Sequence, residues 1–166
     1  MQILRNMTWW LDGRSLHMEV EELTPANIKD KMEEVYAAGQ QIELALGLEK
    51  LEMKAKLTTI NGDVLAKQGI APGRRMRSTF RGQTVDELNG QSRAVIITAE
   101  HRISGETDNW KTGEKAGIAY TLNGILYYKY QIEERVIHEI DPPNFVRIVD
   151  GVDQLADARN ALGIGF

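Results

Sequence analysis

Along most of this chain apolar and polar residues alternate with a period of two, the spacing of strands that keep one face wet. Leu51, Met53, Ala55 and Leu57 alternate with Glu52, Lys54, Lys56 and Thr58. Ile42, Leu44 and Leu46 alternate with Glu43 and Ala45. Thr8 to Leu11, Asp12-Gly13 and Arg14 to Met18 read as a tight hairpin, because Asp-Gly supplies the positive φ angles of a type I′ turn. Residues 28–38 read as a strand or an extended arm. Arg74 to Gly82 reads as a strand with Met76, Ser78 and Phe80 on one face, and Ala94 to Ala99 as a strand apolar on nearly both faces. Ile118 to Ile132 reads as one long strand or two in succession, onto which Val136 to Ile140 folds back through Glu133-Glu134-Arg135. Asp141-Pro142-Pro143-Asn144 breaks that strand, and Phe145 to Val149 supplies one more.

Two segments depart from this period. Residues 61–69 predict a short helix capped by Asn61 and stopped by Gly69. After Gly151, the positions Val152, Leu155, Ala156, Arg159 and Leu162 follow helical spacing up to Gly163, predicting a C-terminal helix over 152–162. Residues 104–114 predict an extended polar loop with Trp110 inside it. Eight to ten strands, two short helices and no internal repeat make a single domain over 1–166. Its fold class is mainly β, an antiparallel sandwich or barrel with one or two short α-helices.

Composition narrows the function classes. The 166 residues include no cysteine, which removes disulfides and thiolate metal sites. No apolar run approaches a membrane helix, and Thr8-Trp9-Trp10-Leu11 is too short for the apolar core of a signal peptide. The expectation is a protein made and used in the cytosol, or one that leaves the cell by lysis. Twenty basic against 24 acidic residues, a net charge of -4, argue against a dedicated nucleic-acid binder. The densest basic stretch, Arg74, Arg75 and Arg77, reads as a solvated strand or subunit contact.

Candidate chemistry is sparse. His17, His101 and His138 have no partners at metal-ligand spacing, and there is no Gly-x-Ser-x-Gly elbow, Gly-x-Gly-x-x-Gly or Walker-type loop. No catalytic, cofactor or metal residue is assigned, and the chain is not read as an enzyme. Tyr128 and Tyr130 share one strand face and Tyr127 takes the other, for packing in the core or against a neighbouring subunit.

The C-terminal third resembles the major tail tube proteins of contractile-tailed phages and R-type pyocins (tailocins). The carrying segments are Asp108-Asn109-Trp110-Lys111-Thr112-Gly113-Glu114, Leu126-Tyr127-Tyr128-Lys129-Tyr130, Glu139-Ile140-Asp141-Pro142, and Val149-Asp150-Gly151-Val152-Asp153-Gln154-Leu155. Leu11-Asp12-Gly13 and Tyr36-Ala37-Ala38-Gly39 extend the resemblance more loosely towards the N-terminus, whereas residues 61–92 match poorly.

The resemblance implies a structural subunit of hexameric rings that stack into a hollow tube, penetrate the host envelope and conduct DNA. It places the protein in a virion tail assembled in the host bacterial cytoplasm. The implied partners are further copies of itself, the tail sheath protein, baseplate and tail terminator proteins, and tape-measure protein and phage DNA in the lumen; no cofactor is implied. Trp110, Tyr128, Tyr130 and Leu155 are the candidate assembly residues, and Glu33 and Glu43 the candidate lumen residues. The alternatives are a type VI secretion-like or non-contractile tube protein and, from another class, a nucleic-acid-binding β-barrel using the arginines.

Overall fold

A computed structural model describes residues 1–164. In chain order the strands are β1 (Gln2–Leu11), β2 (Arg14–Ser15), β3 (Val20–Thr24), β4 (Asp30–Ala37), β5 (Gln40–Leu48), β6 (Met53–Leu57), β7 (Met76–Asp86), β8 (Ser92–Thr107), β9 (Ile118–Ile132), β10 (Arg135–Asp141), β11 (Val146–Val149) and β12 (Val152–Asp153). Helix α1 (Gly62–Leu65) joins β6 to β7, a 3-10 turn at Pro142–Asn144 joins β10 to β11, and helix α2 (Ala156–Leu162) follows β12.

All pairings are antiparallel, and β8 and β9 are the spine. The first half of β9 pairs on its free side with β6, from Ile118↔Leu57 to Leu122↔Met53. The second half pairs with β10, from Tyr128 to Ile132. Between them Gly124 takes a φ of 59°, a left-handed conformation that glycine adopts without steric cost, and the opposing β8 carries an irregularity between Glu100 and Arg102. The sheet therefore splits into two leaves that share β8 and β9. One carries β6 and β3; the other carries β10, β11 and β12 on one side and β7, β1 and β2 on the other.

The leaves pack face to face. Trp9 of β1 stacks on Phe80 of β7 at 5.1 Å and meets Tyr120 of β9 edge-on at 6.3 Å, which joins the two leaves through aromatic contact. Met53, Ala55 and Leu57 point inward as the alternation requires, with Lys54 exposed between them. Met76, Ser78 and Phe80 are likewise buried on one face of β7. This is the mainly β, antiparallel fold that the period-two pattern predicts. No closed barrel forms among the described residues, since β2 and β12 end the sheet.

Several boundaries differ from the sequence expectation. β8 continues through Ser104–Thr107, which pair with Thr121–Ile118, so the loop spans 108–117 rather than 104–114. β7 begins at Met76, which leaves Arg74 and Arg75 in the preceding loop. The C-terminal helix begins at Ala156, not at Val152. Asp150 and Gly151 both take positive φ and close a tight turn that pairs Val152 with Val149, so the chain makes a last strand before it can make a helix. The helix at 61–69 shortens to Gly62–Leu65, with Asn61 accepting from the backbone of Asp63 and Val64 as its cap.

Candidate assembly surfaces

Among the described residues β4 and β5 pair only with each other and form a hairpin outside the main sheet. Ala38 and Gly39, both at positive φ, make its two-residue turn. Its base is pinned where the Glu49 amide donates to the Lys29 carbonyl at 2.8 Å. Residues directly opposite in an antiparallel pair share a face. One face therefore carries Glu33, Val35, Ala37, Gln40, Ile42 and Leu44, and the other carries Met32, Glu34, Tyr36, Gln41, Glu43 and Ala45. Val35 and Leu44 are 38% and 46% exposed, a large apolar surface for a free-standing hairpin. On the other face Glu34 and Glu43 stand directly opposite, a like-charge pair partly relieved by Gln41, whose amide donates to Glu34 at 2.7 Å. Glu33 and Glu43 thus lie on opposite faces.

At the foot of this hairpin lies an apolar cavity of about 620 Å³, walled by Leu46, Leu48, Leu51, Ile125, Leu126, Ile140, Phe145 and Leu155. Leu155 immediately precedes α2 and faces this cavity, whereas Val152 and Leu162 are exposed. The expected stripe over 152–162 is therefore not one helix face. Arg159 ties the segment down by pairing with Asp153 and donating to the Phe145 carbonyl.

Trp110 sits in the loop between β8 and β9 with 80% of its surface exposed. Tyr128 does not share that character. It is 1% exposed, inside the subunit's own core, and burial pushes its phenol well above the ordinary range. Its ring has no surface to offer a neighbour, because β9 turns this face into the sandwich. Tyr130 packs against the same core, partly open beside Leu4, Met7 and Leu23. Tyr127, on the opposite face, donates to Glu139 at 3.1 Å and lies under Arg77; burial and that bond raise its pKa to about 12.

Two of the three clustered arginines are engaged within the chain. Arg75 donates to the Gly124 carbonyl at 3.0 Å, and Arg77 lies 3.7 Å from Glu100 as well as over Tyr127. Arg102 donates to the carbonyls of Ile70, Ala71 and Arg74 and so shapes the loop before β7.

The nearest approach to a nucleophile–base pair is internal. Ser78 Oγ lies 2.6 Å from His101 Nε2 and accepts from Trp9 Nε1 at 2.9 Å. His101 Nδ1 lies 3.0 Å from the Arg102 carbonyl, which requires the proton on Nδ1 and leaves Nε2 to accept from the serine hydroxyl. Both side chains are fully buried, so this is a polar pin through the core with no path for substrate. Among the described residues no group of three or more histidines and carboxylates is arranged to hold a metal ion.

What remains is a scaffold with surfaces to cover. A family model for phage tail tube protein FII matches residues 1–163. The chain belongs to that family. This makes it a structural subunit of a phage tail tube and a component of the virion tail. The match runs through residues 61–92, where the motif resemblance is poor. No curated protein matches the chain.

Proposed function

We propose that this phage tail tube protein is the ring-forming subunit of a contractile tail. Hexameric rings stack into a hollow tube that a sheath drives through the host envelope and that then conducts DNA. The observation that carries the reading is the β4–β5 hairpin, which stands outside the sandwich with an apolar face that its own chain does not cover. In a family of tube subunits, further copies of the same chain are the cover at hand. The other partners of this reading are the sheath, baseplate and tail terminator proteins, with tape-measure protein and DNA inside. Assembly belongs to the host cytoplasm. Trp110 and Leu155 remain its assembly residues, with Tyr130 at the partly open edge of the core.

The internal engagement of Arg75, Arg77 and Arg102 favours this reading over a nucleic-acid-binding barrel, whose basic groups must be free for phosphate. Electron microscopy of concentrated protein, with and without a baseplate seed, should show rings or tubes six-fold in projection. Addition of the cognate sheath protein should decorate them. A chain that stays monomeric even when seeded would overturn the proposal, and tubes that never bind sheath would overturn its contractile part.

A further inference from the structure

The loop that carries Trp110 and the apolar cavity at the hairpin foot lie at opposite ends of one leaf. Residues 108–117 leave β8 after Thr107 and enter β9 at Ile118, where Ile118 pairs with Leu57. The cavity is walled by residues just before Met53 and just after Leu122, the pair at the other end of the same ladder. Four residue steps separate the two pairs, roughly 13 Å at strand spacing, with the loop extending beyond one end. Trp110 does not fill the cavity of its own chain: it stands 80% exposed beyond the other end of that ladder.

We infer that Trp110 docks into this cavity on a second copy of the chain, making a knob-and-hole contact that repeats head to tail. The inference rests on the tube reading and supplies the contact that reading lacks. Trp110 is 80% exposed, and a side chain of this type buries about 150–250 Å² when covered. The cavity, about 620 Å³ and lined mainly by aliphatic side chains with Phe145, has room for an indole and its flanking backbone.

Charge is matched as well. The loop carries Asp108 and Glu114 against Lys111 and Lys115, and the cavity rim carries Glu49 and Glu52 against Lys50 and Arg147. Neither side has a net charge to repel the other, and each has both signs to pair. A contact between unlike patches at opposite ends of a subunit does not close on itself as a dimer; it propagates, which a stacked tube requires.

The absence of native cysteine makes the test direct. Asn109→Cys, which keeps the Trp110 knob, and Lys50→Cys on the cavity rim are prepared as separate chains, mixed at assembling concentration and oxidised. A cross-linked dimer should form in the mixture and not in either chain alone, and the double variant should give ladders of cross-linked chains. In parallel, Trp110→Ala should raise the concentration needed for assembly by about tenfold or more, as the loss of a central tryptophan anchor does, while the monomer melts as before. In a Trp10→Phe background, acrylamide quenching of the remaining exposed indole should fall on assembly. Tubes in which Trp110 stays quenchable, or in which the mixed cross-link fails, overturn the docking and leave the tube reading standing. No assembly and no cross-link overturn both.

Discussion

At the scale of single residues, the most consequential group is the one with least access to solvent. His101 is fully buried, and that burial lowers its pKa from 6.5 to about 4, against a smaller opposing effect of the Arg102 carbonyl. The native fold therefore holds it neutral, while the unfolded chain protonates it near its ordinary value. Where the unfolded state binds the extra proton, stability rises with pH. The contribution is fully present above about pH 6.5, is lost as pH falls towards 4, and reaches about 3 kcal/mol at full loss. Urea titrations at pH 7, 5.5 and 4 should show this fall, and His101→Gln should flatten it whatever its stability at pH 7. Asp150 and Asp153, held below the usual carboxylate range by hydrogen bonds from Arg135 and Arg159, lose their contributions only from about pH 5 downward, so the fall between pH 7 and 5.5 reads His101 without them. Ser78→Ala leaves both the Trp9 indole N–H and His101 Nε2 buried without a partner, at about 1–3 kcal/mol for each. Its thermal unfolding midpoint should drop accordingly, with the fold retained.

At the scale of elements, the β4–β5 hairpin is separable. Among the described residues it pairs with no other strand, and the Lys29–Glu49 backbone hydrogen bond holds its two ends together. Replacing residues 31–47 by a short glycine-serine turn should leave the monomer's circular dichroism and melting nearly unchanged and abolish self-association in sedimentation. An equal loss of both would make the hairpin part of the core. Strand existence was legible in the sequence because alternation reports burial directly; Met53, Ala55 and Leu57 are inward and Lys54 outward as read. Two extents were not legible. Ser104–Thr107 look like loop because their outer positions are polar, yet the backbone of Ile118–Thr121 needs a partner and takes them. Val152 fits a helical stripe by spacing, but Asp150-Gly151 is the same dipeptide as Asp12-Gly13 and turns the chain as that one does. Of the surfaces proposed for assembly, the sequence pattern picked out Trp110, which the fold leaves exposed, and Leu155, which it sets at the cavity wall. Alternation placed Tyr128 and Tyr130 on one face but could not say that this face turns inward, and the cavity arises from four segments that no local pattern connects.

At the scale of the whole molecule, the two faces of the hairpin predict two different phenotypes for two similar substitutions. The face with Val35, Ile42 and Leu44 carries one carboxylate, whereas the other sets Glu34 opposite Glu43 between Met32, Ala45 and Tyr36; burying that like-charge pair costs more than covering the first face, so assembly should cover the first and leave the second wet. Glu33 belongs to the covered face and Glu43 to the wet one. Glu33→Lys should therefore raise the concentration at which tubes form, because a reversed charge at a closing interface meets a like charge or none. Glu43→Lys should assemble normally and even strengthen the hairpin, since it converts the like-charge pair with Glu34 into an opposite one. Its effect should appear in function. A wet acidic face that lines a DNA channel repels phosphate, and ring symmetry repeats every substitution around the bore, so a lysine at position 43 should grip the passing DNA and slow its release. The measurement is sedimentation of the two purified variants together with ejection kinetics of phage carrying each, at low salt where screening is weakest. Slow release from Glu33→Lys with failed assembly of Glu43→Lys would mean that the faces are inverted in the tube. Normal ejection from Glu43→Lys would remove the hairpin from the channel wall and leave that wall to the outer faces of the sandwich strands.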